Sequence, residues 1–565
     1  MLPQTECGRR CVSFALTFAV LLGFAFTARV SAQMVGATIS GTVVDPTGGV
    51  VPGVKIVIKN ISTGTVANAA TNGVGVFDAP NLPPGTYDLT ASAAGFSTLV
   101  RNRITLTVGQ ELVLNLSLQV GNTSSQIEVT TEAPTVDLAN ATVGGVVTEG
   151  TVEALPLNGR SWSDLAILAP GVHTVGNQPA ISSTDRTKRG MGLELSISGG
   201  RPQQNNYLLD GVNINNYTNA GPGSLLGGNL GTDAVGEFTV LTTNYSAEYG
   251  RTSGGVISAI TKSGSNQFHG SAYEFLRNSS LDASNFIDNL NGASKPPFRR
   301  NQFGASAGSP IQKDKTFIFA DYEGIRQGLG STQVATVPTQ ADIAAATALL
   351  PTLNPAVTTG ADPNALLYLK TFFPASATGT FAFAANQITA ENFFITRVDH
   401  TFSEKDRIFG TYLYDNSHQT EPDEMNNKLI KNQSKRQTFA TEWSHAFSPQ
   451  LLNSFRLGFN RDNTASPDGA TAINPAAGDP QFGFDPGSSV GAIQIGNTYT
   501  AFSGGTIVAT PFEFRWNSYQ IYDNLYFTKG IHSMKIGGNA ERIQENFLGA
   551  DTPGCLLYTS PSPRD

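Results

Sequence analysis

Charge is scarce in this chain. Asp, Glu, Lys and Arg make up 14% of its 565 residues, against about a quarter in ordinary soluble domains. The net charge is −8 and no Lys/Arg cluster occurs, which argues against nucleic acid as a partner. Cysteine is rarer still. Cys7 and Cys11 fall in the first dozen residues and leave Cys555 alone, so the mature chain has no internal disulfide and no cysteine-based metal site. Beyond residue 32 no stretch has the ~20 apolar residues of a membrane helix. The histidines at 173, 269, 400, 418, 445 and 532 are scattered, none with metal-ligand spacing. No Ser/His/Asp order or phosphate loop stands out. The expectation is therefore no catalytic residue, no metal and no cofactor, and a protein that is not an enzyme.

What is present begins with a leader. Arg9 and Arg10 precede the apolar stretch Val12–Thr27, and Val30-Ser31-Ala32 offers small residues for cleavage before Gln33. Residues 1–32 thus read as a secretory signal cleaved near Ala32.

The second half alternates short and long links between amphipathic β segments. Nine strands are predicted near 266–278, 300–308, 315–326, 391–402, 406–417, 436–447, 450–462, 516–528 and 531–546. The links Ser309–Asp314, Ser403–Lys405, Ser448–Pro449 and Lys529–Gly530 are tight, whereas 279–299, 327–390, 418–435 and 463–515 are long. Outer-membrane barrels show this alternation of short periplasmic turns and long external loops. The faces agree, because a strand's side chains alternate with period two. Phe455, Leu457 and Phe459 share one side, and Ser454, Arg456, Gly458 and Asn460 the other. Phe394, Val398 and Phe402 oppose Arg397, Asp399 and Thr401, and Met534, Ile536 and Ala540 oppose Ser533, Lys535, Asn539 and Glu541. His400, His445 and Asp523 break the pattern by falling on the lipid side. A large soluble β-sandwich would also alternate, but it has no reason to keep the rhythm of the links. The expected fold is mainly β: an N-terminal β-sandwich, an α+β plug domain, and an incomplete transmembrane antiparallel β-barrel.

Ahead of the strands three further segments are expected. Residues 38–120 carry short β-rich runs separated by turn signals such as Asp45-Pro46-Thr47-Gly48-Gly49 and Pro83-Pro84-Gly85, which implies a sandwich. Gly41-Thr-Val-Val-Asp45, Val51-Pro52-Gly53-Val54, Asn72–Phe77, Leu82-Pro-Pro-Gly-Thr-Tyr87 and Gly95-Phe96 together resemble the carboxypeptidase regulatory-like domain. That name implies no protease activity, and no His-Glu-x-x-His motif occurs. Residues 121–135 form a linker holding the β-prone strip Gln126, Ile127, Glu128, Val129, Thr130 and Thr131, suited to strand addition at a partner's sheet edge. Its place before the next domain resembles a TonB box, the segment gripped by an inner-membrane energy coupler; a plain connector is the alternative.

Residues 136–264 contain Glu153-Ala-Leu-Pro-Leu-Asn-Gly-Arg160, an amphipathic Ser161–Leu168, Ile197-Ser-Gly-Gly200-Arg201 and Asn206-Tyr-Leu-Leu209-Asp210-Gly211-Val212. Ala234–Val240, Tyr249-Gly250-Arg251 and Gly254-Gly255-Val-Ile-Ser-Ala-Ile-Thr-Lys262 follow. In that order they resemble the plug domain of TonB-dependent outer-membrane receptors, in wording the Oar-like subgroup. Asp210-Gly211 reads as a tight turn, and Gly254-Gly255 as a close approach to a barrel wall. Gly308–Phe319 in the expected barrel, 265–553, also resembles that group.

The resemblance implies a protein of the bacterial outer membrane that imports a small or oligomeric ligand, unidentified, when a TonB-type coupler pulls the plug. The partners would be that coupler, outer-membrane lipid and the ligand. An adhesion or protein-export component on the same scaffold is the alternative. Ligand contacts are expected from Asn213–Gly231, 327–390 and 463–515. Plugged transporters have about 22 strands, so nine imply a fragment. Residues 554–565 break the alternation and are expected to be non-native.

Overall fold

The computed structural model describes residues 36–121, 126–129, 142–175, 194–216, 221–284, 295–353, 360–466, 470–502, 512–549 and 556–558, apart from a few isolated positions. The leader, Thr130, Thr131, Arg251 and Cys555 lie outside the described residues.

The N-terminal unit is a two-sheet sandwich. One sheet contains Ala37–Val44 between Val76–Leu82 and Glu111–Val113; the other orders Val66–Ala70, Lys55–Asn60, Gly85–Ser92, Thr98–Leu106 and Gln126–Val129. Alternate residues, among them Ile39, Val43, Ile56, Ile58, Phe77 and Leu89, are turned inward and fully buried. This is the period-two pattern of a strand with one wet face.

Next comes an α+β unit built on a five-stranded sheet. Its order is Val143–Val147, Val235–Thr243, Val256–Thr261, Asn206–Leu209, Val212–Asn213. The last three strands include a parallel pair, Asn206–Leu209 on Val256–Ala259. The helix Glu149–Ala154 and the 3-10 turn Trp162–Leu168 cover it. Trp162, Leu165 and Ala166 pack under Phe238 and Val240, and the rings of Trp162 and Phe238 lie 5.4 Å apart.

Among the described residues the largest sheet runs through nine sequential antiparallel strands, β1 (His269–Asn278), β2 (Phe298–Gln312), β3 (Thr316–Thr336), β4 (Thr380–Thr401), β5 (Asp406–Pro422), β6 (Lys428–Ser448), β7 (Leu451–Ser466), β8 (Phe512–Lys529) and β9 (His532–Gly549), with a short tenth, Ala470–Ala472, paired to β6 off this path. Among the described residues β1 and β9 are not paired to each other, so the sheet is open. Several strands outrun the predicted limits toward the long links: β3 continues to Thr336 and β4 begins at Thr380. Ladder hydrogen bonding does not stop at the bilayer surface, whereas the apolar alternation that marks the strand in sequence does. Leu556–Tyr558 pairs in parallel with Ala492–Gln494.

The two faces separate chemically. Phe394, Val398, Leu457, Ile521 and Ile536 are exposed on the outer surface, while Ser454, Arg456, Asn460 and Asp462 are buried on the inner one. His400, His445 and Asp523 belong to the outer face without any slip of register. His400 and His445 lie beside tight turns, edge-on to Phe402 and Phe447 at 4.4 and 4.5 Å. His445 Nδ1 sits 2.6 Å from Asp406 Oδ1, and Asp523 accepts from Asn453 at 2.7 Å. The two histidines, at strand ends, fit the interfacial girdle of such barrels, whereas Asp523, opposite Phe455, lies deeper along its strand and is met by Asn453.

A charge on the outer face tests this assignment. Leu457 stands seven residues above Gln450 in β7, which at ~3.3 Å per residue and about 40° of tilt is roughly 18 Å from the turn, near mid-bilayer. Leu457→Arg is expected to lower the stability of the inserted protein by about 2–4 kcal/mol, read by denaturant unfolding in lipid vesicles. A loss below about 1 kcal/mol would place Leu457 in water.

Candidate functional site

The inner face of the sheet meets the α+β unit along a polar seam, and every one of the nine strands contributes to it. Ser271 of β1 donates to Asp233 at 2.6 Å and Gln302 of β2 to the Gly159 carbonyl at 3.2 Å. Glu323 of β3 accepts from the Gly231 amide at 2.9 Å, and Glu391 of β4 from Ser224 at 2.9 Å. Ser417 of β5 accepts from the Leu225 amide at 3.3 Å. Arg436 of β6 donates to Asn229 at 2.7 Å, Asn460 of β7 to the Asn215 carbonyl at 3.2 Å, and Gln520 of β8 to the Asn213 carbonyl at 2.9 Å. Lys535 of β9 pairs with Glu248. The sheet therefore wraps the α+β unit and the seam is the wall of a plugged lumen.

Three arginines dominate the seam. Arg397 donates to Asp210 at 3.2 Å and to Asp399 at 2.8 Å. Arg436 holds Asp415 at 2.6 Å while reaching Asn229. Arg456, 1% exposed, grips Glu442 through Nε at 3.0 Å and donates to the Gly211 carbonyl at 3.3 Å. From the plug side, Arg160 donates to Asp233 at 2.5 Å, lies 3.6 Å from Glu323 and sits 4.1 Å over the Tyr273 ring. A buried ion pair adds little net stability when intact but is costly to break on one side. Such pairs fix position more than they add stability. Arg456 faces the lumen as the alternation of its strand implies, and its burial against Glu442 makes truncation there costly.

The sequence-derived motif residues fall as follows. Asp210 (φ 49°) and Gly211 (φ 75°) form the two-residue hairpin between Leu209 and Val212, and positive φ at both centres is what that turn demands. Asp210 does more than turn: fully buried, it accepts from the Thr261 amide at 3.0 Å and hydroxyl at 2.8 Å besides Arg397. Leu209 lies in the plug core. Asn206 is buried; its amide donates to the Gly255 carbonyl at 2.9 Å and its side chain accepts from Asn213. Gly254 and Gly255 do make a close approach, but not to the barrel: a Cβ at Gly254 would meet Gln204 and Asn205, and one at Gly255 would meet Ile197. Both are needed inside the plug, where Asn206–Leu209 runs parallel to Val256–Ala259.

Gly200 bonds back to Ile197 at 2.9 Å and Arg201 is exposed at the following turn, its amide held by Gln204 at 2.9 Å. Neither joins the seam. Tyr249 is buried with Leu208, Leu241 and Val256, which pushes its hydroxyl pKa up, and the partly buried Gly250 follows it. Lys262 pairs with Glu149 at 2.9 Å. Glu237, on the sandwich side of the plug, accepts from the Val108 amide, and burial raises its pKa to about 7. Within the box-like strip, Gln126–Val129 lies in parallel on Thr98–Arg101 of the sandwich.

The ligand-contact expectation needs a correction. Of Asn213–Gly231, the described residues are mostly buried against the wall. Asparagine amides both donate and accept, so they match a polar wall rather than an open mouth. The external links do converge: Phe372 stacks on Phe502 at 5.1 Å and meets Phe482 at 5.2 Å, with Val337, Met425 and Val490 around them. They form one small apolar core above the wall. Sequence reasoning missed Arg160, Glu323, Glu442 and Arg436 as seam residues. Their only signal was charge on the inward face of a strand, or in the plug at a motif's end.

Comparison with known proteins agrees with the architecture. Residues 38–119 match the carboxypeptidase regulatory-like domain, 137–256 the TonB-dependent receptor plug domain and 260–562 the outer membrane beta barrel domain. The TonB-dependent transporter Oar of Myxococcus xanthus is 28% identical over 302 residues, half of this chain and 26% of that protein. Among solved structures, the outer membrane transporter YddB of Escherichia coli is 15% identical with a TM-score of 0.45, covering 73% of this chain and 50% of its own. The siderophore receptor PirA of Acinetobacter baumannii is 16% identical with a TM-score of 0.41, covering 72% and 48%. The chain thus spans about a quarter of that curated relative and about half of those structures. With an outer-membrane barrel wall, a plug and a regulatory-like sandwich in this order, the chain belongs to the TonB-dependent receptors of the bacterial outer membrane.

Proposed function

We propose that this receptor imports a ligand by energised movement of its plug, with Gln126–Thr131 as the segment gripped by a TonB-type coupler. The observation that carries the reading is the polar character of the seam. Dry apolar contact would weld plug to wall, whereas hydrogen bonds and ion pairs can be exchanged for water as the plug shifts. The large buried apolar side chains of the wall that join the plug core, Phe319, Ile325, Phe393 and Ile395, belong to β3 and β4, while on β7 only the small Gly458 faces the plug's Val212. The other named contacts to β6, β7 and β8 are polar. A plug that stays on β3 and β4 and releases β6 to β8 opens a path along the latter.

The four-residue strand at Gln126–Val129 supports the box assignment, since it already occupies a sheet edge by strand addition. A coupler must compete with that pairing. Val129→Pro removes a ladder donor and is expected to weaken binding of the coupler's periplasmic domain to the detergent-solubilised receptor at least about tenfold. Unchanged binding, or no binding by the parent protein, would refute the assignment and return the scaffold to adhesion or export.

A further inference from the structure

We propose that the N-terminal sandwich is a second stopper, seated in the periplasmic mouth of its own barrel and locking the plug hairpin through the relay Asn81–Glu442–Arg456–Gly211. This goes beyond the import reading and does not depend on it.

The sandwich touches the barrel at several tight turns. Asn68 donates to Glu404 at 3.0 Å, in the turn between β4 and β5. Asn72 donates to the Gly530 carbonyl at 2.7 Å, in the turn between β8 and β9. Asn266, itself held by Asp314 of the β2–β3 turn at 2.8 Å, donates its amide to the Ser62 carbonyl at 3.0 Å. These are rim contacts, and exposed polar pairs of this kind contribute little. They set where the sandwich sits.

The buried contact is Asn81. It is 4% exposed and has φ 57°, a left-handed conformation that asparagine tolerates. That conformation ends the strand Val76–Leu82 with the side chain reaching into the barrel. Its amide donates to Glu442 at 2.8 Å and Ser444 at 3.2 Å, and its carbonyl accepts from Arg407. Glu442 also holds Arg456, whose other arm reaches the Gly211 carbonyl of the plug. One carboxylate therefore serves both stoppers. If Asn81 leaves, Glu442 loses a partner and its grip on Arg456 is free to change.

The docking is built to come apart. A cavity of about 600 Å³, lined by Asn81, Pro83, Asp399, Glu404 and Arg407 among others, separates sandwich from rim. At about 30 Å³ per water it holds on the order of twenty. The sandwich core and the plug–wall core are separate clusters. Apart from the small buried pair of Val108 and Ile260, the contacts named here between the sandwich and its neighbours are polar, and polar interfaces between domains permit relative motion.

The test uses the full-length receptor in outer-membrane vesicles, without ligand or coupler. Asn68→Cys with Glu404→Cys, in a Cys555→Ser background and with a protease site inserted after Pro134, reports docking. A short bismaleimide is expected to keep the two cleavage fragments together on a denaturing gel in most molecules. Asn81→Gly keeps the left-handed backbone and deletes only the side chain. It is expected to speed amide exchange of the plug hairpin 206–213 about tenfold, the worth of a hydrogen bond to a charged group, while Asn68→Ala leaves that exchange unchanged. Fragments that separate, or hairpin exchange indifferent to Asn81→Gly, would overturn the proposal. Either failure leaves the import reading standing, because neither readout involves transport.

Discussion

Arg456→Ala is expected to destabilise the inserted protein by about 3–5 kcal/mol, as much as or more than a charge placed toward lipid. The cost comes from what is left behind. Glu442 is 5% exposed and takes two of its hydrogen bonds from Arg456. Without the guanidinium a carboxylate remains in the wall with only Asn81 and Ser444 as neutral donors. The plug also loses the donor at the Gly211 carbonyl, and the cation over the Tyr522 ring at 5.8 Å disappears. Arg456→Lys should recover only part of the loss, because an ammonium cannot serve the carboxylate and the carbonyl with a rigid fork. Unfolding by denaturant in lipid vesicles measures the difference. A cost under about 1 kcal/mol for Arg456→Ala would mean the pair is solvated and the lumen face is wet at this depth.

Asp210→Ala should cost about 3–5 kcal/mol of plug attachment, again as a buried pair broken on one side. Asp210 accepts from Thr261 twice and from Arg397 once. Its removal strands the Thr261 amide and leaves Arg397 to Asp399 and the oxygens of Thr261. Alanine also adopts φ 49° at a penalty of about 1–2 kcal/mol. Asp210→Asn keeps the turn and one acceptor, so it should lose only about 1–3 kcal/mol. The measurement is the urea concentration at which the plug becomes protease-sensitive while the barrel stays inserted. If both variants behave alike, Asp210 acts only as a turn residue and the latch to Arg397 carries no weight.

These two residues show where sequence reading stops. Arg456 was placed correctly on the inner face, because alternation along β7 leaves no other choice. Its energetic weight is not legible there, because its partners lie 14 residues away on β6 and 245 residues away in the plug. Asp210-Gly211 was legible as a turn from two adjacent residues. Its tie to Arg397 spans 187 residues and leaves no periodic trace. Gly254-Gly255 signalled a close approach but not which backbone approaches. Ligand contacts were expected from Asn213–Gly231, and composition cannot distinguish amides facing water from amides facing a polar wall.

By itself the sequence determined the strands, their inward and outward faces and the order of sandwich, plug and wall, since backbone geometry imposes a period of two on any strand with unlike faces. Only the tertiary structure decided the partner of each inward charge. A polar lumen residue satisfies the same pattern whether it meets water, a neighbouring strand or the plug, and its energy depends on which of these it meets.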